Sequence, residues 1–341
     1  MNSPITGKPM IVRQETTELS FRKETFEIVS HYYLDTDTSE RFSSDELDAL
    51  DQAQVYNRYR EKYGIPFPDE IKRIREKYGV PASKMSEILG FGTNSYRLYE
   101  SGEVPSVANG RLILAVADPR EFRDQVLAST HFLTESELKS LLFKAEKLIK
   151  EEVDNIWDKL LTQHIFTYNK ANEYSGYKMP DFQKIASLIN FYADRIWKQK
   201  QKRLNKTTLN KLLFYSDFYH FKLTGYSITG ITYRAIQLGP VPAEYDKLYN
   251  KLADDGLIEV VHELYDSGNY ADLFISNTVP LEDTFDEKEK NVLEAIANKL
   301  LDYDTKKIVL LSHEEKAWIE NQEAKNLISY PHYAFELREP M

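Results

Sequence analysis

Between Met10 and Leu34 apolar and polar residues alternate. The stretch "ETTELSFRKETFEIVSHYYL" is rich in Thr, Val, Ile, Phe and Tyr, so two antiparallel strands are expected, turning near Arg22 to Glu24. The period then lengthens to that of a helix. "SSDELDAL" opens it, with Ser44 as cap and Glu46 and Asp48 placing negative charge in the first turn, and Gly64 and Pro66 stop it after Tyr63. After Pro68 the segment "DEIKRIREKYG" sets Ile71, Ile74 and Tyr78 on one face and ends at Gly79. A helical bundle follows to about Asp124. At Thr134, "TESE" forms a capping box with Glu137, and apolar residues from Leu138 to Leu161 recur every three or four positions, so a long helix that needs a partner helix is expected.

The polar stretch "NKANEYSGYKMP", residues 169–180, predicts a boundary. Beyond it the pattern gives two amphipathic helices, about 182–199 and 208–222. It also gives strand-like "ITYRAIQLGPVP" and "GLIEVVHELYDSGNYADLFIS", with Gly239, Pro240 and Pro242 as a rigid turn feeding a helix near Ala243. The expected fold class is mainly α with small β modules, in four parts. Residues 1–64 form a small β module plus helix, 65–125 a helix-turn-helix domain, 126–174 a helical linker and candidate dimer helix, and 175–341 a mostly helical final domain.

Composition narrows the chemistry. A length of 341 residues allows two or three separate cores, and 42% hydrophobic with 29% charged residues fits an ordinary globular chain. The absence of cysteine excludes disulfides, thiolate zinc ligands and thiol nucleophiles. The amino terminus lacks the basic and apolar regions of a secretory signal, and no apolar run is long enough to span a membrane. A cytoplasmic protein with no membrane partner is expected.

The formal net charge is −10, yet residues 69–124 carry nine cations and nine anions, so the segment that reads as DNA-binding is the least acidic part. Phosphate attraction acts within a Debye length, and Lys72, Arg73, Lys84 and Arg97 can supply it there. In "ASKMSEILGFGTNSYRLYESGEVPS" Met85, Ile88 and Leu89 line the inner face of a short helix, "GFG" makes a tight turn, and a second helix follows. That arrangement lays the second helix in a major groove. Tyr96, with Tyr99 or Leu98, would anchor it inward. Thr93, Asn94, Ser95, Tyr96 and Arg97, with Lys84, are the candidate DNA-binding residues, Asn suiting adenine and Arg guanine.

Enzyme signatures are incomplete. His313-Glu314-Glu315 lacks the second histidine of a zincin, because Ala317 stands where that ligand belongs. "GYSITG" lacks the Gly-x-Ser-x-Gly elbow, and no phosphate loop with a lysine occurs. No catalytic residue, metal or cofactor is expected. The basic run Arg195, Lys198, Lys200, Lys202, Arg203 and Lys206 reads as a solvated helix end, with a contact to DNA or to an acidic partner as the alternative.

Two resemblances extend this reading. Residues 1–125, through "FPDEIKRIREKYGV" and "ASKMSEILGFGTNSYRLYESGEVPS", resemble the MqsA-like branch of Xre-type regulators, antitoxins that repress their own operons. In its zinc-bearing members a β-rich N-terminal module carries two CxxC pairs. This chain has "SPIT", with Ser3 and Thr6, in place of the first and "LDTD" in place of the second, which implies a zinc-free module held by packing. Asn94 matches the DNA-reading Asn of that family, and Arg97 stands one residue nearer to it than the family's Arg.

Residues 180–335, through "KLLFYSDFYHFKLTGYSITG", "YRAIQLGPVPAEYDKLY" and "LSHEEKAWIE", are similar to the Panacea domain of SocA-like antitoxins. This implies a mainly helical, non-catalytic domain that recognises a cognate protein toxin, acting as its inhibitor or dedicated chaperone. The candidate toxin-binding residues are Tyr233, Gln237, Pro240, Val241 and Tyr245. The resulting expectation is a dimeric antitoxin and autorepressor whose partners are a cognate toxin and double-stranded operator DNA. The rival readings are a phage- or mobile-element-linked regulator and an adaptor that delivers a partner to a cellular protease.

Overall fold

The computed structural model describes residues 1–154, 170–264, 270–276 and 284–338. It contains two compact units, Met1–Leu160 and Leu161–Met341. Both are mostly helical with small antiparallel sheets, and no helix of the described residues is long and apolar enough to cross a membrane.

In the first unit β1 (Ile11–Phe21) pairs antiparallel with β2 (Glu24–Leu34), which pairs with β3 (Arg41–Phe42). The β1–β2 turn is the predicted one. Arg22 and Lys23 both take left-handed dihedrals, φ 49° and 69°, as a two-residue hairpin turn requires. That conformation costs a side chain about 1–2 kcal/mol. Arg22 offsets the cost by donating to the carbonyls of Pro105 (2.8 Å) and Val104 (2.6 Å). β1 is the edge strand of this sheet, exposed along nearly its whole length, and Ile11, Val12 and Leu19 on it face solvent.

The stretches at "SPIT" and "LDTD" meet. Ser3 Oγ accepts from the Ile5 and Thr6 amides, Asp35 Oδ1 accepts from the Asp37 and Thr38 amides, and Thr6 donates to Asp35 at 2.9 Å. Hydrogen bonds led by that from Ser3 hold the Asp35 carboxyl at about 2, below its usual 3.8. A depressed carboxyl stabilises the fold at pH values above 3.8, and the contribution disappears as pH falls through 2. Asp35→Asn is therefore expected to lower the melting temperature at pH 6 and to shrink the difference between pH 6 and pH 3. An unchanged pH dependence in circular-dichroism melts would show that Asp35 does not hold this corner.

α1 (Asp45–Tyr63) begins where Ser44 accepts from the Leu47 amide and ends at Gly64 in the left-handed region, as the pattern predicts. α2 (Pro68–Tyr78), α3 (Ala82–Ile88), α4 (Ser95–Glu100), α5 (Val107–Ala115) and α6 (Pro119–Ala128) make the bundle. α7 (Glu135–Asp154) changes the expected division of the chain. Leu141 and Ala145 are buried in the same core as Ile71, Met85, Tyr96 and Phe122, and Leu138, Leu142 and Leu148 pack against it. This part of the predicted stripe finds its partner inside its own unit rather than across a dimer seam. The remainder, Ile156 to Leu161, lies outside the described residues.

The second unit is built around a central helix. α8 (Phe182–Lys200) leads through β4 (Leu204–Asn205) to α9 (Lys206–Thr224), which is buried on nearly all sides rather than amphipathic. β5 (Tyr233–Ile236) and β6 (Gly239–Pro242) form a hairpin, so the turn lies at Gln237–Leu238 and "GPVP" is a buried strand, not a turn. After α10 (Tyr245–Asp254), β7 (Glu259–Leu264) and β8 (Tyr270–Ile275) join β4 in the order β4-β8-β7. α11 (Glu287–Leu300), α12 (Thr305–His313), α13 (Lys316–Ile319) and α14 (Tyr330–Tyr333) complete the unit.

The described part of the expected boundary, from residue 170 on, is tied into the second unit. Asn172 and Ser175 form a reciprocal cap, Ser227 Oγ donates to Ser175 O, and Ser329 donates to Glu173. A Cβ on Gly176 would meet Ser227 at 2.5 Å. A fragment beginning at residue 175 would cut this cap; one beginning at 170 keeps it.

Candidate functional site

The helix-turn-helix geometry rests on buried anchors. Tyr96 is fully buried, its hydroxyl donating to Ile71 O (2.9 Å) and its amide to Ser86 Oγ (3.1 Å), which fixes α4 against α2 and α3. Tyr99 is also buried, and its hydroxyl accepts from Asn109. Arg75 on α2 holds Glu100 at the other end of α4 (2.5 Å). Arg60 of α1 donates to Gly102 O (2.5 Å), and Arg22 donates to the Val104 and Pro105 carbonyls, so the loop after α4 is fastened to the N-terminal module.

These anchors leave Thr93, Asn94 and Arg97 exposed on one turn, with Ser95 half-buried. Asn94 has αR dihedrals, φ −103° and ψ −3°, and makes no capping hydrogen bond with its side chain. Two of the sequence candidates have other roles. Tyr96 points into the core and cannot touch a base. Lys84 is paired with Glu87 (2.7 Å) and Glu137 (3.0 Å), and these partners, Glu87 first, raise its pKa and neutralise its field toward a phosphate. Leu98, a candidate anchor, is instead exposed beside Arg97. The paired carboxylate from α7 was invisible in the sequence because α7 was expected to lie outside the bundle.

In the second unit the residues that carry the family-like strings form an internal lattice. Asp217 on α9 is fully buried and accepts from the Ile228 amide (2.8 Å), the Thr229 amide (2.9 Å), the Thr229 hydroxyl (2.5 Å) and the Tyr233 hydroxyl (2.8 Å). Burial pushes its carboxyl up, and the hydrogen bonds from Thr229 and Tyr233 oppose that. Tyr330 stacks on Phe218 (4.1 Å) and donates to Ile231 O. Lys211 is also fully buried, donates to Pro240 O (2.8 Å), and is lowered by burial to about 7. Glu315, pushed up by burial to about 7, accepts from Tyr215 and the Arg338 amide. His313 stacks on Trp318 (3.8 Å), whose indole donates to Ile236 O.

This lattice corrects the candidate toxin-binding set. Tyr233, Pro240 and Val241 are buried, because the β5–β6 hairpin lies between α9 and α12 instead of projecting as a loop. Gln237 is exposed, as is Leu238 beside it in the turn, while Tyr245 is half-buried under Lys206. No group of three or more His, Asp or Glu among the described residues is placed to hold a metal ion.

Residues 209–319 match the family model of the Antitoxin SocA-like, Panacea domain. The second unit thus carries an antitoxin-type domain, spanning α9 to α13. No curated protein and no solved structure matches the chain.

Proposed function

We propose that the chain is an antitoxin: its C-terminal unit neutralises a cognate protein toxin, and its helix-turn-helix represses the operon by binding double-stranded operator DNA. The match of residues 209–319 to the SocA-like Panacea domain carries the first half of this reading. The second half is supported by the exposed Thr93, Asn94 and Arg97 on a turn held by Tyr96 and Arg75. In this reading the protein acts by binding a partner. Operators read by this motif are two-fold, so the working species is a homodimer.

The test is co-expression with the growth-inhibiting product of the adjacent gene. Cells carrying the full chain are expected to grow, and a fragment of residues 170–341 is expected to protect them without repressing the promoter. Protection by residues 1–154 and none by the C-terminal fragment, with both folded, would reverse the division of labour.

A further inference from the structure

β1 is the open edge of its sheet, and the ladder behind it shows which of its backbone groups are free. Phe21 and Glu24 close a two-residue turn, so they and every second pair from there exchange the ladder's hydrogen bonds. The pairs between them turn their amides and carbonyls outward. Val29, opposite Thr16, does so: its N–H and C=O go to the Gln54 side chain (3.0 and 2.9 Å), away from β1. On β1 the outward set is Val12, Gln14, Thr16, Glu18 and Ser20, and among the described residues no strand covers it. At Met10 the amide is taken by Met1 O (3.0 Å), which closes the edge at that end.

A second copy of the chain fits this edge about a two-fold axis, which makes the two β1 strands antiparallel. Outward groups must then face outward groups, so the axis passes between one residue and its own copy. Charge selects the residue. An axis at Arg13, Glu15 or Glu18 sets like charges opposite, and an axis at any other residue but Gln14 leaves each charge within the strand facing an uncharged side chain. At Gln14 each Arg13 faces Glu15 of the second copy, in the non-hydrogen-bonded position where side chains come closest. Arg13 forms no ion pair in its own chain among the described residues. Glu15 already accepts from Arg41 (2.8 Å), and a carboxylate with about four lone-pair sites takes a second cation.

We propose that β1 pairs with β1 of a second copy about a two-fold axis at Gln14, joining the two sheets into one. Gln14 exchanges both backbone bonds with its copy, and Val12 does so with Thr16 on either side. Ile11 and Val12, 38% and 55% exposed, are covered by Thr17 and Thr16 of the second copy. Such a seam presupposes the homodimer that operator binding calls for, and supplies the contact that α7, buried in its own unit, does not.

The chain has no cysteine, so one introduced on β1 reports the axis directly. Cα atoms across a hydrogen-bonded pair stand about 5.5 Å apart, within disulfide reach. With diamide, full-length Gln14→Cys is expected to run as a covalent dimer on a non-reducing gel, while Thr16→Cys, also exposed but about 14 Å from its copy, stays a monomer. Equal cross-linking of the two, or cross-linking of Thr16→Cys alone, would overturn the axis. Sedimentation of the full-length protein tests the charges. Arg13→Glu and Glu15→Lys are each expected to weaken self-association at least tenfold, and the two mixed are expected to associate as the native chain does, a gain that misfolding cannot produce. A mixture that stays monomeric overturns the proposal, and is the result expected if the edge takes a strand of another protein. A native dimer that Gln14→Cys does not cross-link overturns the seam and leaves the homodimer standing, whereas a native chain that is monomeric throughout overturns both.

Discussion

Gly239→Ala is expected to destabilise the C-terminal unit by about 2–5 kcal/mol and to abolish toxin neutralisation, while Leu238→Ala, one residue away, shifts stability by less than about 0.5 kcal/mol. Gly239 has φ +97°, and a Cβ there would lie 2.3 Å from Ser312 Oγ and 2.7 Å from Lys211 Cε. Neither neighbour can retreat: both are fully buried, Ser312 donates to Val309 O, and the Lys211 ammonium is held on Pro240 O. Positive φ costs about 1–2 kcal/mol and overpacking about 1–3 kcal/mol. Leu238 is 52% exposed and meets none of this. Urea unfolding of the two variants measures the contrast. Equal midpoints would show that β6 is not wedged between α9 and α12.

Asn94→Ala and Arg97→Ala should each weaken specific operator binding by about 1–3 kcal/mol, the usual worth of a base contact, without moving the melting temperature. Both side chains are exposed, so their removal leaves no cavity. Tyr96→Ala provides the opposite signature. It deletes a fully buried ring and its hydrogen bond to Ile71, so about 3–5 kcal/mol of fold stability goes and DNA binding goes with it. Footprinting beside thermal melts separates these outcomes. A double Asn94/Arg97 variant that still protects the operator would remove α4 from the DNA.

Local signals made the first 130 residues readable. Caps, glycine stops and period placed α1, α2 and the turn at Arg22–Lys23 close to their positions. What pattern could not supply was which surface each apolar stripe meets. Leu141 and Ala145 have the spacing of a dimer helix, and that spacing is equally the spacing of a helix closing its own bundle. The same ambiguity hid the role of "GPVP". Prolines suit both turns and strands that need few ladder donors, and only the burial between α9 and α12 decides between them. The Asp217 lattice joins residues 217, 228, 229 and 233 to a helix more than a hundred positions away, a link that no window of sequence displays.

β1 sets the colloidal behaviour of the molecule. An unpaired eleven-residue strand edge with three solvent-facing aliphatic side chains is the template on which chains stack into insoluble ribbons. Arg13, Glu15 and Glu18 interrupt it. Like charges on every copy then face one another across any in-register stack, so these three side chains act as gatekeepers. Concentrated stocks consequently keep best at low salt, where that repulsion is least screened.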